Sequence, residues 1–444
     1  MDYTEKLQNV AVLGAAGKMG SGILLLTALE MTNLSLKPEN RDKTFALLAV
    51  DVSYKNLNDL RKYIREQAQK KAEKGIVGLR QAYADREDLI ENEQIIRQYV
   101  QDVVDIIVPT TSIEKAGEAS VVFEAVNENP DLKLKLMNSI EKNSDGNTWY
   151  FTNTSSIPIH KLNEDAGLQG RIIGFHFYNP PAVQKLVEMI PADKTLSDLQ
   201  DFAAQYASAL KKVVVHSKDV AGFIGNGHFM RDALFGLQEA TRLSKDKGWA
   251  YALYQMDKVT RDFLVRPMGI FQLIDYVGVD VVRYILQVMN PWFEEELHSD
   301  VLDKFYDKGI TGGQHPGGAQ KDGFLKYEKG KPVAAFDPDR NDYVSFDSFS
   351  READKELGDL PKGWNPWKKL IKMKKRDDDL KDYFGNLHKM DTLGSELALR
   401  FGKNSKAIGE KLLKQGIAQS AADVNTVLTT GFFHAYGPIN SYFD

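Results

Sequence analysis

The first part of the chain alternates short apolar runs with longer amphipathic stretches. Short apolar runs predict buried strands, whereas apolar residues recurring every three or four positions predict helices. Their alternation is typical of a parallel sheet flanked by helices. We predict strands over residues 9–13, 45–50, 106–108, 121–124, 149–153, 171–178 and 186–190, and helices over residues 19–31, 56–74 and 131–142.

From residue 197 onward the apolar residues follow helical spacing. Residues 329–365 lack such periodicity and contain many Gly, Pro, Asp and Ser residues, which indicates a linker or surface crossing. The charged run over residues 368–382 is interpreted as a solvated helix face. The helices are predicted over residues 197–212, 223–247, 250–263 and 271–289.

The helical part contains a faint internal repeat, in which a helix leads to a Gly turn, a second helix and another Gly turn. Two such units would pack on each other, although chance similarity is the alternative for so few matches. The repeat pairs Gly248, residues 257–260 and residues 267–271 with Gly416, residues 423–426 and residues 436–439.

Length and composition limit the possibilities. The 444 residues exceed one ordinary core, so two or three domains are expected. The net charge of -5 gives no general reason to expect nucleic acid as a partner. Without cysteine, disulfides, thiolate nucleophiles and cysteine-ligated metals are excluded, which suits a reducing compartment. No stretch reaches the roughly 20 apolar residues of a membrane span, so we expect a cytoplasmic protein without a membrane partner.

A glycine-rich loop follows the first predicted strand and opens the next helix. Gly14, Gly17 and Gly20, with Lys18 and Met19 between the last two, stand where backbone N–H groups can bind a pyrophosphate. The alternative is that these glycines serve only the packing of the loop. Two alanines rather than one residue separate Gly14 from Gly17, which departs from the common dinucleotide-binding spacing.

Asp51 ends the second predicted strand. A carboxylate there can accept hydrogen bonds from the adenosine ribose and would repel a 2′-phosphate, so NAD is favoured over NADP. Asp51 lies further from the glycines than the usual spacing of about 20 residues, and an insertion over residues 33–43 explains the excess. The alternative is an ordinary exposed residue at a strand end.

His176 closes an apolar strand, and Glu188 follows it beyond a turn at residues 179–181. A histidine can accept a hydroxyl proton while a carboxylate fixes its tautomer. Taken alone, such a histidine is more often a core residue. Three ordered motifs change that interpretation, namely residues 153–156 (NTSS), 176–180 (HFYNP) and 185–188 (KLVE).

These motifs resemble the L-3-hydroxyacyl-CoA dehydrogenase family of fatty acid oxidation. The resemblance covers about residues 10–330 and returns weakly over residues 416–439, which are similar to the carboxy-terminal part of multifunctional fatty-oxidation proteins. Further matches are residues 123–125 (FEA), 128–129 (EN), 222–224 (GFI), 266–269 (RPMG) and 275–278 (DYVG). The resemblance implies an α/β Rossmann-like N-terminal domain followed by all-α C-terminal domains. We expect an NAD-binding domain over residues 1–192, a helical substrate and dimerisation domain over 193–330, and a linker plus second helical unit over 331–444.

The resemblance also implies roles for individual residues. His176 and Glu188 match the catalytic pair, while Ser155 and Asn226 match residues that hold the substrate oxygen, although Gly227 stands where the family usually has arginine. The residues implied for the nicotinamide half of the cofactor are Glu124, Asn129, Lys133 and Asn153, and Pro130–Asp131 departs from the family pattern beside them.

Coenzyme A phosphates need cations, and Lys70 and Lys74 lie about where the family's CoA-binding helix presents them. Taken singly, these are ordinary surface lysines. No metal is predicted.

The expected activity is therefore hydride transfer between C3 of an L-3-hydroxyacyl-CoA and NAD. The alternatives are an NAD-dependent dehydrogenase of a free hydroxy acid or sugar acid, and a catalytically silent NAD-binding protein. A homodimer is possible, but a second helical unit could occupy the pairing surface within one chain. The sequence leaves that choice open.

Overall fold

A computed structural model of the protein describes residues 2–315 and 318–444. The chain forms two compact units, Met1–Asp219 and Val220–Asp444. The first unit extends beyond residue 192, where the sequence places the end of the first domain, because the following segment adds a helix and a strand to it. Within the described ranges, no helix combines the length and the apolar composition that crossing a bilayer requires.

The first unit is built on one eight-stranded sheet with the order β3-β2-β1-β4-β5-β6-β7-β8. All neighbouring strands are parallel except β6 and β7, which are antiparallel. The strands are β1 (Asn9–Leu13), β2 (Ala46–Val50), β3 (Ile107–Thr110), β4 (Val121–Glu124), β5 (Trp149–Thr152), β6 (Ile172–Phe177), β7 (Leu186–Ile190) and β8 (Val213–His216).

Helices connect and cover these strands. They are α1 (Tyr3–Lys6), α2 (Gly20–Ser35), α3 (Tyr54–Lys74), α4 (Ile76–Ala82), α5 (Asn92–Asp105), α6 (Pro130–Glu141), α7 (Ile159–Asp165) and α8 (Ser197–Ala209), with 3-10 turns at Pro38–Asn40 and Glu114–Glu118. Phe123, Phe151 and Phe175 from β4, β5 and β6 pack around Tyr206 of α8. The Rossmann-like α/β domain predicted from the sequence is confirmed.

The second unit is mainly helical. Its helices are α9 (Gly225–Lys247), α10 (Trp249–Lys258), α11 (Ile270–Val277), α12 (Val279–Met289), α13 (Asp300–Asp307), α14 (Ser350–Leu357), α15 (Trp367–Leu370), α16 (Arg376–Leu387), α17 (Leu393–Lys414) and α18 (Ala421–Thr426). One-turn π-helices at Val259–Phe263 and Val427–Gly431 follow α10 and α18 directly. Short 3-10 turns lie at Asn290–Trp292 and Phe346–Ser348.

The helical region also contains a small antiparallel sheet of β9 (Leu325–Glu328), β10 (Lys331–Asp337) and β11 (Asp342–Ser345). The prediction that residues 329–365 form a linker is therefore wrong. Residues 334–338 form one short buried run and Leu357 is fully buried, but exposed and half-exposed residues make up most of this segment, so the apolar periodicity is weak. The predicted helix over residues 271–289 is likewise two helices, because Gly278 adopts a φ of 117° between them.

The internal repeat is present as two copies of one helical motif, α9–α10–π-helix and α17–α18–π-helix. Gly248 and Gly416 each end the long helix with a positive φ, and Val265 and Phe433 each follow the π-helix with a positive φ. A Cβ on Gly269 would lie 2.2 Å from the Asp257 carboxyl, and a Cβ on Gly437 would lie 2.1 Å from the Asn425 amide. The counterpart of Asp257 is thus Asn425, and the sequence alignment with Asp423 was shifted by two residues.

Candidate active site

Several residues predicted to form the site lie where parallel strands of the first unit end. Gly14 follows β1, Asp51 follows β2, Glu124 ends β4, Asn153 follows β5 and His176 lies near the end of β6. Since these strands are parallel neighbours, their carboxyl ends meet at one edge of the sheet, which is where open α/β sheets bind ligands.

His176 and Glu188 face each other across the antiparallel pair of β6 and β7. His176 Nδ1 lies 3.2 Å from Glu188 Oε1. The glutamate side chain is fully buried, whereas 11% of the histidine side chain is exposed. The two residues that the sequence proposed as a pair are thus in contact, and the imidazole keeps access to its surroundings.

Tyr178 adds a third member to this pair, which the sequence analysis did not assign. Tyr178 directly follows the last residue of β6 and lies beside His176, with ring centroids 4.9 Å apart. Its hydroxyl donates to Glu188 Oε1 over 2.6 Å. Burial, and then the charge of Glu188, raise the pKa of Tyr178 well above its ordinary value, so the phenol stays protonated and donates. Its position two residues beyond His176 was the available signal.

The loop between β6 and β7 is held by Lys212. Its Nζ donates to the backbone carbonyls of Pro181 and Gln184, each over 2.6 Å. Burial lowers the pKa of Lys212 to about 8. These two bonds fix the turn from which His176 and Glu188 extend.

A buried ion-pair group lies between the end of β4 and the first turn of α6. Lys133 Nζ contacts both Glu124 oxygens, at 2.7 and 2.8 Å, and Glu128 Oε2 at 3.2 Å. Burial by itself lowers the pKa of Lys133, but the two carboxylates outweigh it and hold that pKa above its ordinary value. Thr152 also donates to Glu124 over 2.7 Å. Such buried charges persist because each is paired and hydrogen-bonded.

Glu128 fixes the loop that carries Ser155. Its Oε1 accepts the backbone N–H of Ser155 over 2.9 Å and that of Ser156 over 3.0 Å, and the hydroxyls of Ser156 and Thr154 also donate to it. Burial alone raises the pKa of Glu128, but Lys133 and these donors hold it below its ordinary value. The sequence places Glu128 in a family motif at residues 128–129 but predicts no role for it.

Asn153 and Asn129 both make backbone contacts. Asn153 Oδ1 accepts the N–H of Phe177 over 2.8 Å, which ties the end of β5 to the residue after His176. Asn129 is exposed and caps α6, where its Oδ1 accepts the N–H of Leu132 over 2.9 Å. The cap gives Asn129 a local role that the sequence did not consider.

The glycine loop is tight. Gly14 has a φ of 69°, and a Cβ there would lie 2.7 Å from the Ala125 carbonyl oxygen, while a Cβ on Gly20 would lie 2.0 Å from the Gly14 oxygen. Asp51 Oδ2 accepts the N–H of Ala16 over 2.9 Å, so the carboxylate stands beside the loop. The side chain of Met19, at the N-cap of α2, carries no oxygen and caps none of the first helical N–H groups. The uncapped helix end next to an acidic strand end fits a dinucleotide.

Three other predicted site residues, Lys70, Lys74 and Asn226, do not belong to this group of contacting residues at the strand ends of the first unit. Lys70 and Lys74 are exposed in the last two turns of α3. Asn226 belongs to the second unit, in the first turn of α9. Their roles stay predictions.

One side-chain group among the described residues has metal-ligand spacing. His298, Asp300 and Asp303 of the second unit place ligand atoms within 4.8 Å of one another. Asp303 also accepts a hydrogen bond from Arg283, and Asp300 is almost fully exposed. We interpret this group as a surface ion-pair network.

Comparisons with known proteins identify the family of the chain. Residues 9–220 match the family model described as 3-hydroxyacyl-CoA dehydrogenase, NAD binding domain, and residues 222–327 match 3-hydroxyacyl-CoA dehydrogenase, C-terminal domain. A probable 3-hydroxyacyl-CoA dehydrogenase of Caenorhabditis elegans is 28% identical over 327 residues, which cover 73% of this chain and 94% of that protein. The fatty acid oxidation complex subunit alpha of Pseudomonas syringae is 28% identical over 347 residues, which cover 75% of this chain and 41% of that protein.

A solved structure shows a similar fold along nearly the whole chain. The 3-hydroxybutyryl-CoA dehydrogenase of Escherichia coli superimposes with a TM-score of 0.63 and 20% identity, and the match covers 98% of this chain and 90% of that one. Together the two matched domains span well over half of the sequence. The chain therefore belongs to the 3-hydroxyacyl-CoA dehydrogenase family, with an NAD-binding domain at residues 9–220 and the family's C-terminal domain at residues 222–327.

Proposed function

We propose that the protein interconverts an L-3-hydroxyacyl-CoA and the 3-ketoacyl-CoA, with His176 as the general base and Glu188 as its partner. The contact of 3.2 Å between His176 Nδ1 and Glu188 Oε1, at the sheet edge where the glycine loop begins, is the observation that supports this proposal. When bound, NAD supplies the acceptor for the hydride that leaves C3.

In this proposal the proton of the substrate hydroxyl moves to Nε2 of His176. A carboxylate beside Nδ1 favours the tautomer with its hydrogen on Nδ1, so the lone pair of the ring lies on Nε2. As the C3–H bond breaks with its electron pair, the C3–O bond becomes a carbonyl and the imidazole becomes an imidazolium. Glu188 stabilises that cation, and the reverse steps protonate the oxygen during reduction.

Ser155 and Asn226 are proposed to hold the substrate oxygen. A hydrogen-bond donor that is already oriented stabilises charge on an oxygen without reorganising during the reaction. The loop that carries Ser155 is held by Glu128, which accepts two consecutive backbone N–H groups from it. For Asn226 the support is its match to the family motif.

The cofactor is proposed to contact the glycine loop and the strand ends. The backbone over Gly14, Gly17 and Gly20, including Lys18 and Met19, would hold the pyrophosphate, and Asp51 would bind the adenosine ribose. Glu124, Lys133, Asn129 and Asn153 would line the nicotinamide half. Lys70 and Lys74 would attract the coenzyme A phosphates.

A substrate panel tests the activity. We expect acetoacetyl-CoA to be reduced with NADH, with NADPH much less effective because Asp51 would face the 2′-phosphate. Free acetoacetate and sugar acids serve as matched substrates without coenzyme A. Reduction of the free acids alone would replace the acyl-CoA assignment, and no turnover with any substrate would indicate a silent NAD-binding protein.

A variant tests the base. His176→Gln keeps a polar side chain of similar size but cannot take up the proton. We expect turnover to fall by about 10²- to 10⁴-fold, with NAD affinity unchanged in a fluorescence titration. Near-normal turnover in this variant would remove His176 as the base.

A further inference from the structure

We infer that Tyr178 is a positioning residue that tunes the basicity of His176 through their shared partner, Glu188. This inference rests on the proposed function, in which His176 takes up and returns the proton. It adds a third residue to the pair and a predicted direction for the pH dependence.

The geometry is that of two donors on one oxygen. Tyr178 donates to Glu188 Oε1 over 2.6 Å, and His176 Nδ1 lies 3.2 Å from the same atom. The shorter bond belongs to the phenol of Tyr178, which directly follows the last residue of β6 and whose ring lies 4.9 Å from that of His176. Glu188 is fully buried, so these donors act on its charge in a low-dielectric setting.

A donor that binds the carboxylate tightly withdraws charge from the oxygen that faces the imidazolium. The phenol therefore weakens the stabilisation that Glu188 gives to protonated His176, and it keeps the imidazole less basic than an unshared carboxylate would. Removing the phenol hydroxyl takes one of these two donors away from Oε1, whereas His176 Nδ1–H remains. The pKa of His176 is then expected to rise.

Two titratable groups contact His176 in the geometry that carries this inference. Glu188 faces it from β7, and Tyr178 lies beside it directly after β6. Asn153, which follows β5 and does not titrate, accepts the N–H of Phe177, the residue after His176. Lys212 lies 5.5 Å from the ring centroid of Phe177, the residue between His176 and Tyr178 and on the other face of the strand.

The test compares Tyr178→Phe with a matched control, Tyr150→Phe. Tyr150 is also buried in the sheet, on β5, and its hydroxyl donates to Glu141 over 2.8 Å. The control thus removes one tyrosine–glutamate hydrogen bond that does not involve Glu188. Both variants lose a similar bond, so a general loss of stability affects them alike.

The first readout is the titration of His176 by NMR in protein labelled with ¹³C at histidine Cε1. The chain has eight histidines, and His176→Gln identifies the signal by its disappearance. We expect the His176 pKa to rise by about half a unit to one unit in Tyr178→Phe and to stay unchanged in Tyr150→Phe. An unchanged or lowered His176 pKa in Tyr178→Phe would overturn the inference.

The second readout is the pH profile of kcat/KM in both directions. We expect the acidic limb of the oxidation profile to move to higher pH by the same shift, so that oxidation below the limb falls about 3- to 10-fold. Reduction on the alkaline side should rise correspondingly, because the imidazolium persists to higher pH. Equal losses in both directions at every pH would instead indicate a merely structural tyrosine and overturn the inference.

The hypothesis that His176 is the base and the hypothesis that Tyr178 tunes it can be rejected independently. Near-normal turnover of His176→Gln would remove the proposed base, whatever Tyr178→Phe shows. A normal loss of turnover in His176→Gln together with an unmoved His176 titration in Tyr178→Phe would leave the base in place and remove the role of Tyr178.

Discussion

Both units bury a histidine beside a carboxylate, but only one of the two pairs lies at a place suited to chemistry. In the first unit His176 and Glu188 sit near the carboxyl end of a strand, and the imidazole is partly exposed. In the second unit His228 and Asp232 lie one turn apart on α9, with Nδ1 and Oδ2 3.8 Å apart and both side chains buried. Proximity and burial are therefore shared, whereas exposure and the strand edge are not.

The pair in the second unit connects the two helical repeats. Asp232 Oδ2 accepts hydrogen bonds from Arg266 over 3.0 Å and from the Ser405 hydroxyl over 3.2 Å. His228 Nε2 lies 3.0 Å from the Ser405 carbonyl oxygen, so the imidazole donates to α17. Burial lowers the pKa of His228 and keeps the ring neutral. This network joins α9 to α17, and we interpret it as structural.

The comparison shows that a buried ionisable group is insufficient to identify an active site. Structural ion-pair networks also shift pKa values and also gather histidine with carboxylate. The distinguishing features here are the backbone position, at the carboxyl ends of parallel strands, and access to the surroundings. Substitutions that alter one pair and leave the other intact should therefore separate catalysis from stability.

The largest expected effect comes from Glu188→Gln in the first pair. A neutral amide cannot stabilise an imidazolium, so turnover should fall by about 10²- to 10⁴-fold while the melting temperature changes little. Steady-state kinetics and calorimetry on the same preparation check this. Asp232→Asn is the matched control, because it makes the same kind of change in the second pair and should preserve turnover per folded molecule. A similar loss of turnover in both variants would break the comparison.

The next effect is on stability, from Arg266→Met in the second network. The substitution leaves the buried carboxylate of Asp232 without its cation, which should lower the free energy of unfolding by about 3 to 5 kcal/mol. Urea denaturation measures the loss, and turnover at low denaturant should match that of the native chain. Full stability in Arg266→Met would show that this network does not hold the repeats together.

A smaller change is expected from Lys133→Met in the first unit. Glu124 and Glu128 would then be buried without their shared cation, and we expect one of them to take up a proton near neutral pH. NAD affinity should fall about 10-fold, because Glu128 holds the loop of Ser155 and Glu124 ends β4 at the proposed cofactor site. Isothermal titration with NAD measures this, with Lys161→Met as the control, since Lys161 forms an exposed pair with Asp165 on α7. Equal NAD affinities in the two variants would show that the buried group of Lys133, Glu124 and Glu128 does not contribute to NAD binding.

Much of the sheet and part of the site could be predicted from the sequence. The bounds of β1, β4 and β7 agree with the predicted ones because buried parallel strands are short, continuous apolar runs. The contact between His176 and Glu188 could be anticipated because a turn between two apolar runs suggests antiparallel pairing. Strands β9, β10 and β11 were missed because their buried, half-exposed and exposed residues follow no clear alternation.

Other contacts could not be predicted because they depend on how loops meet in space. Glu128 accepts hydrogen bonds from a loop about 27 positions further along the chain, and sequence spacing carries no information on such a contact. The choice between one helix and two at Gly278 depends on a backbone φ of 117° rather than on apolar spacing. The counterpart of Asp257 in the second repeat was likewise visible only from the close approach of Gly437 to Asn425.

The last prediction concerns Asp257 and its counterpart Asn425. Burial raises the pKa of Asp257 from 3.8 to about 6. Between those values the folded chain holds a proton that the unfolded chain has released, so stability falls as the pH rises through this window and stays reduced above pH 6. The second repeat has a neutral amide at the same place, where Asn425 Oδ1 accepts the N–H of Ile439 over 3.0 Å.

Asp257→Asn should therefore stabilise the protein at pH 7 by up to about 3 kcal/mol, and this gain should disappear near pH 3, where the native carboxyl is mostly protonated in both states. The reverse substitution, Asn425→Asp, introduces a carboxyl into the matching buried place and should lower stability at pH 7 but not at pH 3. Urea denaturation at the two pH values measures all three chains. Gly269 and Gly437 leave the side chains of Asp257 and Asn425 the same confined space. If all three chains were equally stable at both pH values, a buried carboxylate at this place in either repeat would cost no stability. That result would contradict the prediction.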